Sequence, residues 1–257
     1  MGYQAVRYEK IGHSLVITIT ALLDDQGSVA QISGELAELC QEIGWDEEIR
    51  VVILTGAGTD SFSMEVEKND SLYKTADTVA STFWDVAEWI ARIDRPVIAA
   101  IIGDATGLGL ELVLACDVRI AADTSHFGLS HVKAGVIPWD GGTQRLSRVV
   151  GKANALELIL TGKVIDAAEA LRMGLVNQVV SSPTLMPVAM AMGEAIASKG
   201  PIALRYVKEA VHKGMDLTLD QGLHLEADLY LSLHTTLDRT EGVRAFKEKR
   251  KPQFQGR

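Results

Sequence analysis

The sequence predicts an α/β fold with its sheet buried between helical layers, followed by a C-terminal region made of helices alone. Two observations carry this. A strand, a turn and a helix recur in order along the first part of the 257-residue chain, which is the signature of layered α/β architecture. From Pro201 onward the apolar pattern then becomes purely helical, ALRYVKEAVHKGM followed by LDQGLHLEADLYLSLH.

The elements follow one another plainly. His13 to Thr20 alternates as a half-buried strand does, and Ser33 to Ile43 carries Leu36, Leu39, Cys40 and Ile43 on one helical face. VVILTG at Val51 to Gly56 is a short β-branched run ended by glycine, as expected of a strand buried on both faces. A helix from Val79 to Ile93 stops before Pro96, and VIAAII at Val97 to Ile102 repeats the buried-strand pattern. TGLGLELVLACD at Thr106 to Asp117 then opens a helix, and VRIAA at Val118 to Ala122 forms the next strand.

Composition narrows the class of function. A hydrophobic fraction of 47% with 23% charged residues is that of a chain that folds on its own. A formal charge of −9 without a long basic run argues against nucleic acid as a partner. The basic residues Arg244, Lys247, Lys249, Arg250 and Lys251 gather near the C-terminus, either as a solvated helix end or as an anion contact. Cys40 and Cys116 make neither a disulfide framework nor a metal site, and the chain begins without a signal-peptide pattern. No apolar run is long enough to span a bilayer. The expectation is a soluble, cytoplasmic protein without a membrane partner.

Three stretches carry a resemblance. RPVIAAIIGDATGLGLELVLACDVRIAAD, then FGLSHVKAGVIPWDGGTQRL with VGKANALELILTGKVIDAAEALRMGLVNQVV, and finally EGVRAFKEKRKPQF together resemble the crotonase (enoyl-CoA hydratase/isomerase) superfamily. The resemblance implies a spiral of ββα units over residues 1–198, a helical oligomerisation region over 199–257, and a homo-trimer or hexamer. It also implies that two backbone amides, those of Val66 in FSMEVE and Leu108 in TGLGLE, grip a substrate carbonyl oxygen. Rigid main-chain donors suit the task, because they stabilise charge that appears on oxygen as an enolate or tetrahedral adduct forms.

Hydratases of this family typically pair two glutamates. Glu111 matches the first, and His131 stands where the second is expected. Asp140 follows His131 by nine residues, and this spacing resembles the 6-oxocamphor hydrolase branch, whose members cleave a carbon–carbon bond between two ketones. FSMEVE, with Glu65 where CoA-dependent relatives have small residues, is also closer to that branch, and Glu226 falls near a further acidic site of its pocket, although a further histidine of that hydrolase has no counterpart among Thr106 to Leu110. Chemically, a carboxylate that orients an imidazole makes a water-activating pair. The alternative for Asp140 is the N-cap of the helix that follows it, and that for Glu65 and Glu226 is solvated acids.

The leading expectation is therefore retro-Claisen hydrolysis of a β-diketone or β-ketoacyl compound by His131 and Asp140, with Glu111 and Glu226 moving protons. The alternative is an enoyl-CoA hydratase or isomerase that relies on Glu111, and a catalytically silent scaffold is the remote third. Trp139, Trp84 and Glu65 complete the expected substrate pocket for a small carbonyl compound. The tail places Phe246 and Lys249 where relatives contact CoA. No cofactor is required on this reading, and a CoA thioester is a possible substrate but not a required one. No metal motif occurs.

Overall fold

The computed structural model describes residues 3–21, 26–59, 62 and 86–257. Its main sheet has six strands. In sheet order these are β1 (Val6–Ile11), β2 (Ser14–Ile19), β3 (Val51–Gly56), β4 (Val97–Ile101), β6 (Val118–Ala122) and β9 (Gln178–Val180). The first pair is an antiparallel hairpin closed over Gly12 and His13, and every later pairing is parallel. Every residue of β3 and β4 is buried, as their unbroken apolar runs predict for strands covered on both faces.

Alternate side chains of these strands feed two separate cores. Val52, Leu54, Val97 and Ala99 face the larger core, which they share with α1 (Gln26–Trp45), α2 (Val86–Ala91), α3 (Leu108–Leu114) and α4 (Gly142–Thr161). Val51, Ile53, Ile98 and Ala100 face a smaller core roofed by Leu185, Ala189 and Ala197 of α6 (Leu185–Ala197), the helix after α5 (Ala167–Arg172).

A second sheet of three short strands, β5 (Ala105–Thr106), β7 (His126–Gly128) and β8 (Val164–Asp166), lies beyond the C-terminal ends of the parallel strands. Phe62 bridges to Ala105 at its edge. These pieces of two or three residues are too short to show a periodicity, and the sequence patterns do not mark them.

The chain finishes with α7 (Pro201–Gly214), α8 (Leu219–Leu233) and α9 (Leu237–Glu248). Thr218 opens α8 with a full capping box, and Thr236 caps α9. The final residues fold back, with the Asp238 carboxylate accepting the amides of Gln255 and Gly256 at 2.7 and 2.9 Å. Among the described residues no helix is long and apolar enough to cross a membrane.

Candidate active site

Helix α3 is buried along its whole length, including Glu111. It can sit so deep because Gly109 has no side chain: a Cβ there would lie 1.8 Å from the Phe62 carbonyl oxygen. The close approach brings the first turn of α3 against the backbone at Phe62. Leu108 is the first residue of that turn, so its amide has no intrahelical acceptor. Its expected companion Val66 lies outside the described residues, as do Glu65 and Trp84.

The Glu111 carboxylate is fixed by one oxygen. Oε1 accepts the amide of Asp140 at 2.9 Å and that of Gly142, the first residue of α4, at 2.7 Å. Gly142 is again a required absence of side chain, since a Cβ would stand 2.9 Å from Oε1 and 2.8 Å from the Pro138 Cβ. Oε2, also buried, has no hydrogen-bond partner among the described residues. It faces His131, whose Nε2 is 3.5 Å away.

His131 opens a single 3-10 turn, His131–Ala134, and is buried with neither ring nitrogen hydrogen-bonded among the described residues. The edge-to-face contact with Trp139, at 5.1 Å between ring centroids and 88° between planes, sets the ring's orientation. A buried carboxylate oxygen and two imidazole nitrogens without partners are costly. Their convergence marks a place where a ligand or a moving proton completes the set.

Asp140 differs from both expectations made for it. It is not the N-cap of α4, a position held by Gly141 without a side-chain cap. Nor does it orient His131, since neither imidazole nitrogen has a hydrogen-bond partner. Its Oδ2 accepts the Ala87 amide at 2.7 Å, at the start of α2, while its own amide holds Glu111. Asp140 thus links two helix beginnings, and an acceptor satisfied by an unpaired first-turn amide has little reason to turn towards an imidazole. Arg145, which the sequence patterns did not single out, reinforces this link. It donates to the Asp140 carbonyl at 2.7 Å and to Glu88 at 3.2 Å.

The remaining candidates stand apart from this cluster. Glu226 is exposed on α8. Phe246 is 85% exposed on α9, and Lys249, exposed in a left-handed conformation, ends that helix. Trp139 is partly buried beside His131. No group of three or more potential metal ligands occurs among the described residues.

Comparison with known proteins agrees with this architecture. The family model described as enoyl-CoA hydratase/isomerase matches residues 28–257. A probable enoyl-CoA hydratase of Mycobacterium leprae is 39% identical over 248 residues, covering 96% of this chain and 95% of that protein. A short-chain-enoyl-CoA hydratase of Clostridium acetobutylicum is 36% identical over 256 residues, covering 98% and 97%. Among solved structures, an enoyl-CoA hydratase from Bacillus anthracis superposes with a TM-score of 0.88 at 37% identity, over 99% of this chain and 100% of that one.

Proposed function

The chain belongs to the enoyl-CoA hydratase/isomerase family, and from that premise we propose that it adds water to, or moves a proton within, an unsaturated acyl-CoA thioester. One observation carries the reading: Glu111 is wholly buried, with Oε1 clamped by two amides and Oε2 left open. That is how a general acid/base is held in a defined position while one lone-pair face stays available. The thioester oxygen sits against the amides of Leu108 and Val66, which stabilise the enolate as it forms.

His131 supplies the second proton site. In hydration, Glu111 Oε2 takes a proton from water as the water oxygen bonds to the β-carbon. Protonated His131 then delivers a proton to the α-carbon as the enolate collapses. The proton on Glu111 returns to His131 across the 3.5 Å gap, so one water is consumed and both groups are restored. Trp139 borders the acyl pocket, and Phe246 and Lys249 meet the nucleotide end of CoA. The helical region 199–257 forms subunit contacts in a homo-trimer or hexamer. Hydrolytic carbon–carbon cleavage rests on a His131–Asp140 pair. With the Asp140 carboxylate engaged by Ala87, the thioester reading is the better supported, and Glu226 has no part in it.

A paired assay tests this, using a crotonyl-type thioester and a cyclic β-diketone. Wild type is expected to turn over the thioester and leave the diketone intact. Glu111→Gln and His131→Gln should each lower thioester turnover by about 10²- to 10⁴-fold, the usual loss for a general acid/base. Diketone cleavage by wild type without thioester turnover would overturn the proposal.

A further inference from the structure

A second cleft lies at the opposite end of the main sheet from Glu111. Strands β2 and β3 start side by side, Ser14 paired with Val51, and the cleft of about 1170 Å³ opens at these N-terminal ends. Glu111 belongs to the segment beyond the C-terminal end of β4. The two places are therefore separated by the length of the parallel strands.

The chemistry of the cleft is cationic. Arg50, Lys199 and Lys251 line it together with His13, against Glu194 as its acidic side chain. The chain as a whole carries −9, yet none of those three cations forms an ion pair among the described residues. Arg50 is held by two neutral carbonyls, Nη1 donating to Ala197 at 3.2 Å and Nη2 to Phe254 at 2.9 Å. Its Nε is buried without a partner. The carbonyl end of α6 offsets part of this charge, and Ser198 and Lys199 share its carbonyls with Arg50, Ser198 Oγ donating to Ala195 at 2.7 Å and the Lys199 amide to Ile196 at 2.9 Å. What remains is a positive potential focused in a concave site. The lining also includes the apolar side chains of Ile11, Pro187 and Met190.

We propose that this cleft binds a phosphorylated small molecule. Its phosphate lies on Lys199, Lys251 and the Arg50 edge, and its apolar part lies against Ile11, Pro187 and Met190. A phosphoryl group is a strong acceptor for the Lys199 and Lys251 ammonium groups, and the nearby Arg50 guanidinium adds to the positive potential that holds it.

Calorimetric titration with inorganic pyrophosphate tests the site on the full-length protein. Wild type is expected to bind saturably. The exposed double substitution Lys199→Ala/Lys251→Ala should weaken binding by at least about tenfold, the loss of charge-assisted hydrogen bonds, with thioester turnover unchanged. Glu194→Gln, which removes negative charge from the lining, should tighten it. No saturable binding by wild type overturns the proposal. So does binding that the double substitution leaves unchanged, because pyrophosphate would then sit elsewhere.

Discussion

At the level of single residues, the two oxygens of Glu111 do different work, and substitutions can separate them. Glutamine keeps one carbonyl oxygen for the amides of Asp140 and Gly142. Glu111→Gln should therefore melt near wild type while losing activity. Glu111→Ala leaves both buried amides without an acceptor, and chemical denaturation should show a loss of about 1–3 kcal/mol for each. Gly142→Ala tests the same clamp from the other side. Its Cβ would crowd Pro138 and Oε1, costing about 1–3 kcal/mol as an overpacked site does and lowering turnover by displacing the carboxylate. Glu111 was legible in the sequence because one acid interrupts the apolar run GLGLELVLAC. The partner of Asp140 was not. Which amide a carboxylate accepts is decided by where α2 begins, some fifty residues earlier in the chain, and no spacing rule carries that information.

At the level of elements, α7 is fastened to the sheet by one carboxylate. Asp117 accepts the Val97 amide, Lys208 Nζ and His212 Nε2 at 2.7, 2.7 and 2.8 Å. Burial alone would push this carboxyl up. The hydrogen bond from His212, the charge of Lys208 and the Val97 amide outweigh that and hold it below its ordinary value. A carboxyl depressed in the folded state contributes stability above its unfolded value of about 3.9, and the contribution disappears as pH falls through the folded value. Asp117→Asn should accordingly flatten the acid side of a stability-against-pH curve and speed amide exchange in α7. Long elements of this kind were readable: β3, β4, α3 and α7 all announce themselves by apolar runs or helical spacing. β5, β7 and β8 announce nothing, since their pairing depends on partners far along the chain.

For the whole molecule, the helical end presents more apolar surface than one chain covers. Val207, Val211, Leu219, Leu223 and Leu231 are each at least 55% exposed on α7 and α8. Apolar surface of this extent is what the proposed association face would bury. Sedimentation should report a trimer or hexamer at micromolar protein, and charge introduced by Val211→Asp with Leu231→Asp should shift it towards monomer while β-sheet circular dichroism is retained. A persistent monomer in wild type would contradict this. Family-level architecture was legible at this scale because motif order spans nearly the whole chain. Side-chain neighbours were harder to read, because the spacing points to Asp140 as the companion of His131, whereas the fold brings Glu111 Oε2 to 3.5 Å from its ring.

The clamp on Glu111 also makes the carboxylate observable without a label. The two amide protons that end on Oε1, those of Asp140 and Gly142, sense its electron density directly. Their nitrogen and proton chemical shifts should move together whenever a proton or a substrate reaches Oε2, and both should stay still in Glu111→Gln. A pair of backbone resonances thus becomes a spectroscopic gauge of the proposed acid/base, able to report its protonation and occupancy in an otherwise unmodified protein.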